Sequence, residues 1–244
     1  ALIFRAVALE FCSHAGSRRM LRFWETMFGI GSVIPALLFG VAMGNILRGL
    51  PLDSQGNYTG TFFDLLNPYS LLVGLAGFAL FAMHGALFVR MKTEGGLAAK
   101  SRQWAAASGV AFILLVSAVG GLTIDGTQGL GYLIRQHHSL ALIPATLLIT
   151  TFWFVAAGLR RESKRPAFAA SCALIALLFA TLGAALFPNF VPARDGGKSL
   201  TLADSSSSEL TLGIMFGVAA VGMVLVLIYT IWVRRQFRGG SVEY

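Results

Sequence analysis

A guanidinium and a carboxylate five residues apart, Arg5 and Glu10, stand in an otherwise apolar opening stretch, and a histidine, His84, lies deep inside a run without charge. In hydrocarbon such groups are costly, so each marks a proton or charge route, a ligand, or a polar contact between helices. Five residues turn a helix by about 140° beyond a full turn, so Arg5 and Glu10 cannot pair along one face. Arg5 lies about 9 Å from the helix end at Phe11. At that depth its stem snorkels to the interface, or the guanidinium is buried against a partner on another helix. His84 has two readings as well, a haem axial ligand or a hydrogen bond across helices. No phosphate-binding glycine loop, paired-cysteine metal motif or Ser–His–Asp set accompanies these residues.

The elements that must position them are membrane helices. Hydrophobic residues make up 56% of the 244, and charged residues only 12%, more apolar surface than one soluble core can hide. Stretches free of Asp, Glu, Lys and Arg run over 27–47, 69–89, 104–124, 139–159, 167–187 and 210–233. Each is long enough to cross a hydrocarbon layer about 30 Å thick. Residues 1–11 are too few for a span and carry no secretion signal, so they are read as the end of a truncated helix. The expected fold is therefore all-α, a polytopic transmembrane helix bundle with six complete spans plus that partial one. Residues 1–244 are expected to form a single integral membrane domain, a fragment of a longer chain.

The net charge of +8 sets orientation and does not imply nucleic acid. Arg18, Arg19, Arg22, Arg90, Lys92, Lys100, Arg102, Arg160, Arg161, Lys164, Arg165, Arg234, Arg235 and Arg238 fall on one side of the spans; Arg48, Arg135, Arg194 and Lys198 fall on the other. The richer side is expected to be cytoplasmic, and the carboxy terminus with it. The longest connections, about 48–68 and 188–209, then lie outside. Asn67 before Pro68 predicts a capped helix start, Arg165–Pro166 another, and Ser206 with Glu209 a capping box. Gly40 with Gly44, and Gly213 with Gly217, have the spacing that lets helices approach closely in lipid. Cys12 and Cys172 are expected to be free thiols.

Several segments together resemble subunit II of cytochrome bd-type quinol oxidases. They include Ala1–Phe11, Phe23-Trp24-Glu25, Gly31–Pro35, Gly40–Asn45, Gly49-Leu50-Pro51, Tyr58–Phe63, Leu65–Tyr69, His84-Gly85-Ala86 with Lys92–Gly95, Phe187-Pro188, Ser199–Thr201 and Ser206–Leu212. The resemblance is loose only over 123–165. Cys12 stands where the family usually has a basic residue, and Glu25 where it has Asp.

What the resemblance implies is a subunit of a bacterial inner-membrane complex that oxidises quinol and reduces oxygen to water. Two b-type haems and haem d are expected in the partner, subunit I. This chain is expected to bind no cofactor alone, although some relatives hold a structural quinone in subunit II. Expected partners are subunit I in a heterodimer, membrane lipid, and quinol and oxygen as substrates of the complex. By position in the family's Phe-Arg and Glu-Phe segment, Arg5 and Glu10 become proton or charge pathway candidates. Two other classes fit the hydropathy: a secondary transporter, which predicts helices broken at the midplane and a repeated half, and a purely structural assembly subunit.

Overall fold

The computed structural model describes residues 1–126, 149–150, 152–160, 164–194 and 196–236. Six helices carry the architecture: α1 (Leu2–Ser13), α2 (Arg18–Arg48), α3 (Pro68–Lys92), α4 (Gly95–Gly126), α5 (Lys164–Leu186) and α6 (Glu209–Gln236). Residues 152–160 form a further helical segment between α4 and α5. Among the described residues five helices, α2 to α6, are long and apolar enough to cross a membrane. The expected span over 139–159 falls for the most part outside the described residues.

Local chemistry explains where the helices begin. Asn67 caps α3, its side chain accepting the Ser70 N–H, with Pro68 in the first turn. Ser17 caps α2 through the Met20 N–H at 3.2 Å, so that helix starts nine residues ahead of its uncharged stretch and carries Arg18, Arg19 and Arg22 as helix. The capping box expected at Ser206 is not the start of α6. Ser208 takes that place, its Oγ accepting the Thr211 N–H at 3.4 Å, while Ser206 gives its proton to the carbonyl of Ala203, closing the one-turn helix Leu202–Ser205. Gly49 ends α2 at φ +87°, a left-handed conformation that suits glycine, and its N–H returns to the carbonyls of Asn45 and Ile46.

The bundle is organised around α3, which packs against α2, α4 and α5. Its buried Ala76, Leu80, Met83 and Leu87 meet Ala105 and Phe112 of α4, Val155 of the 152–160 segment, and Leu174 of α5. Elsewhere apolar side chains face outward: on α6, Leu210 and Phe216 are each 77% exposed. In water that surface would be strongly unfavourable, and lipid or another chain is its natural cover.

The two long connections, after α2 and after α5, meet each other. Strand β1 (Leu50–Pro51) pairs in parallel with β3 (Ala193–Arg194), with Leu50 opposite Ala193, and β2 (Asn189–Val191) pairs antiparallel with β4 (Leu200–Thr201). The Lys198 N–H also reaches the Asp53 carbonyl at 3.1 Å. The loop after α2 is thereby joined to the loop after α5.

Candidate functional site

Arg5 is held by the crossing of α1 and α2. A Cβ built at Gly31 would stand 2.8 Å from the Ala1 carbonyl oxygen and 3.1 Å from the Arg5 nitrogen, so the absence of a side chain there permits the approach. The Arg5 guanidinium carbon then lies 5.4 Å from the centroid of the Phe28 ring, one turn before Gly31 on α2, a cation–π contact. Pro35 sits inside α2 and leaves the Gly31 carbonyl without its usual donor. Phe11 stacks on Trp24 at 4.9 Å and fastens the other end of α1.

Glu10 stands on the same helix near that second contact. Arg5 and Glu10 are both exposed and do not pair, as the helical rotation predicts. Among the described residues the Glu10 carboxylate has no partner. Both groups are therefore available to something packed against α1.

His84 lies between α3 and α5. Its Nδ1 is 2.8 Å from the Ser171 Oγ, and its ring stacks on Phe168 with centroids 4.9 Å apart. Ser171 spends its own proton on the Phe168 carbonyl at 2.7 Å, so its oxygen accepts and His84 Nδ1–H donates. This is the geometry of a polar contact between helices. His84 is absent from the linings of the two recesses beside Asn45 and between α3 and α4.

The glycine pairs differ. A Cβ on Gly40 would be 2.7 Å from the Gly74 Cα, and one on Gly44 would be 2.7 Å from the Ser70 Cα, so α2 and α3 touch backbone to backbone there. Gly213 and Gly217 have nothing within 4 Å.

Where α2 ends and α3 begins lies a polar cluster that the sequence reading did not single out. Buried Asn45 donates through Nδ2 to the carbonyls of Val41 at 2.9 Å and Leu65 at 2.7 Å, and its Oδ1 accepts from Asn67 Nδ2 at 2.9 Å. Asn67 in turn caps α3, so one amide ties the end of α2 to the start of α3. Its position inside the uncharged stretch 27–47 was the available signal, since a polar side chain in a span demands partners. Beside it a recess of about 290 Å³ is lined by Arg48, Tyr58, Asp64 and Arg194 among others. The Asp64 carboxyl is held below its ordinary range, first by the Thr61 backbone N–H and then by the Thr61 hydroxyl. Desolvation opposes this, and Arg194 and Arg48 add a smaller pull in the same lowering direction.

The family model for cytochrome bd terminal oxidase subunit II matches residues 1–237. The chain belongs to that family. It is 30% identical over 265 residues to the cytochrome bd-I ubiquinol oxidase subunit 2 of Escherichia coli K12, covering 95% of this chain and 69% of that protein. It is 28% identical over 240 residues to the cytochrome bd ubiquinol oxidase subunit 2 of Bacillus subtilis, covering 98% of this chain and 70% of that protein. The fold resembles a chain in the structure of bd oxidase from Geobacillus thermodenitrificans, with a TM-score of 0.69 at 15% identity over 97% of this chain and 71% of that one. The chain is thus a membrane protein of a respiratory oxidase family, whose complexes carry haem and a partner subunit.

Some of the family segments named from sequence meet in space. Ala1 and Arg5 with Gly31, and Phe11 with Trp24, build the α1–α2 crossing, while Gly40, Gly44 and Asn45 with Asn67, Ser70 and Gly74 build the α2–α3 contact and its polar cap. His84 belongs to neither group.

Proposed function

We propose that this chain serves as subunit II of a heterodimeric quinol:oxygen oxidoreductase in the bacterial inner membrane, supporting the oxidation of quinol and the reduction of oxygen to water by the assembled complex. The family match over 1–237 carries the reading. In this reading the two b-type haems and haem d sit on subunit I. The chain supplies no axial ligand, in keeping with a His84 engaged by Ser171 and Phe168. The excess of basic residues around α3, α4 and α5 at one membrane face supports a cytoplasmic placement for that face and for the end of α6.

Within the complex, α1 is the element through which the chain meets the route of protons or charge. Arg5, poised over Phe28 at the Gly31 crossing, and Glu10, without a partner among the described residues, present a fixed positive charge and an ionisable carboxylate on different faces of one helix. A buried guanidinium holds a neighbouring carboxylate or quinone oxygen in its charged form. The transporter reading wants helices broken at the membrane midplane, whereas α3, α4, α5 and α6 each run as one continuous helix. An optical spectrum of the purified assembly decides between them: haem d absorption is expected, and an assembly without haem that moves a solute would overturn the proposal.

A further inference from the structure

The start of α2 carries Arg18, Arg19 and Arg22, all exposed. At about 100° per residue their Cβ atoms share one arc of about 100°, with Arg22 a turn on from both of the others, so the three side chains leave the same side of the helix as neighbours. Among the described residues none of the three guanidinium groups has a hydrogen-bond or ion-pair partner. Glu25, three residues beyond Arg22, is exposed and forms no ion pair with it. Like charges at this spacing repel along a helix face, and an anion held between them removes that cost.

The same face continues inward as apolar surface. Gly29 and Val33 follow the arginines on their arc, and Phe23 and Ile30 border it. Phe23, Ile30 and Val33 are 52%, 45% and 42% exposed, and a Cβ at Gly29 would meet nothing within 4 Å. Gly29 is thus a notch among exposed apolar side chains. Arg22 stands five residues ahead of the uncharged stretch that begins at Met27, about 8 Å along the helix. That is the depth of the headgroup layer, about 5–8 Å on each side of the hydrocarbon. Arg18 and Arg19 lie a turn farther out, on stems long enough to return their charges to that level. Guanidinium groups bind phosphate oxygens with directed, charge-assisted hydrogen bonds, and basic clusters beside a span attract anionic lipid. A free phosphate ion or an acidic protein segment would leave the apolar strip unused, and a zwitterionic headgroup would bring an ammonium against three cations. We propose that this face of α2 binds one anionic phospholipid, its phosphate held by Arg18, Arg19 and Arg22 and one acyl chain lying along Gly29 and Val33. The inference is independent of the oxidase chemistry and of which way round the chain sits.

The test uses the full chain in its native membrane assembly, returned to bilayers containing phosphatidylglycerol or phosphatidylcholine with a photoreactive acyl chain. After illumination, adducts on residues 23–33 are quantified by mass spectrometry. Phosphatidylglycerol is expected to label this stretch several-fold more than phosphatidylcholine, and excess inorganic phosphate at constant ionic strength to leave that ratio unchanged. Arg18→Gln/Arg19→Gln/Arg22→Gln is expected to bring the two lipids to parity, and the corresponding lysine triple to keep most of the preference. Gly29→Leu fills the notch on an exposed surface and spares the arginines, so it decides the matter even if the charge variants assemble poorly. It is expected to lower labelling by phosphatidylglycerol several-fold. Equal labelling by the two lipids, a preference unchanged in the glutamine triple, no effect of Gly29→Leu, or loss of the preference to inorganic phosphate would overturn the site. So would a stretch that neither lipid labels because the partner subunit covers it.

Discussion

His84 on α3 gives its Nδ1 proton to the hydroxyl of Ser171 on α5 across 2.8 Å, and Ser171 passes its own proton to the carbonyl of Phe168, on whose ring the imidazole lies. The three residues form one clasp between two spans. Its energetic weight is that of an interhelical hydrogen bond and a ring contact, and its direction is fixed by the serine.

Ser171→Ala removes the acceptor and leaves an imidazole N–H unpaired between helices. A loss of about 1 kcal/mol is expected, seen as a lower midpoint in thermal inactivation of the assembly. The haem spectrum is expected to remain unchanged in Ser171→Ala and in His84→Ala, as a pyridine haemochrome assay would show. Stoichiometric haem lost in His84→Ala would make the histidine a ligand.

Gly40 and Gly213 head the same small-residue spacing but meet different surroundings. A methyl at Gly40 must push Gly74 away, since the Cβ would stand 2.7 Å from its Cα, whereas Gly213 has open space around it. Gly40→Ala is expected to cost about 1–3 kcal/mol by overpacking and to lower the yield of folded protein. Gly213→Ala is expected to leave the chain's own stability unchanged. If Gly213→Ala also weakens recovery of the partner subunit, that face of α6 is an assembly surface.

The spans were legible because hydropathy over twenty residues integrates many side chains, and α3 starts at Pro68, within a residue of its uncharged stretch. Ends were less so: α2 runs back to Arg18 because arginine is a good helix former and Ser17 supplies a cap. Four successive serines offered equivalent caps for α6, and only the fold of Leu202–Ser205 selects Ser208. The pairing of Leu50 with Ala193 was invisible because two-residue strands carry no periodicity. At the candidate site the sequence exposed Arg5 and Glu10 as costly groups but not the Phe28 contact, which depends on the register between two helices.

Asp64 predicts a pH response in the cap that joins α2 to α3. Its folded pKa lies below the ordinary value of 3.8, so its hydrogen bonds to Thr61 stabilise the turn above that value and are lost as pH falls through the lower, folded one. Protection of the Thr61 amide from hydrogen exchange is expected to be constant near neutral pH and to fall only in strong acid. Asp64→Ala should abolish this protection at every pH.

The basic asymmetry predicts the membrane sidedness of two exposed positions. Glu94 follows α3 on the basic side, and Ser54 lies in the loop between α2 and α3. With Cys12 and Cys172 changed to serine, Ser54→Cys is expected to react with an impermeant thiol reagent in intact cells, and Glu94→Cys only after the membrane is opened. The reverse pattern would invert the orientation.

Arg5 and Glu10 carry the prediction closest to turnover. The two stand on different faces of α1, do not pair, and are both exposed on the chain, so each is open to a group outside the described contacts. A cation in low dielectric shifts the proton affinity of such a neighbour strongly, and a carboxylate nearer the water can relay protons inward. Arg5→Ala and Glu10→Gln, in protein assembled with its partner, are expected to lower quinol-oxidase turnover several-fold while haem spectrum and yield stay intact. Arg5→Lys, which keeps the charge, should recover part of the loss. Gly31→Ala gives an independent check, because it displaces α1 at the Arg5 crossing without touching either charge, and turnover should fall with it. Should Arg5→Ala and Glu10→Gln both turn over at the parental rate from pH 6 to 9, neither residue lies on a rate-relevant route. Loss of haem or yield in place of turnover would assign α1 to assembly.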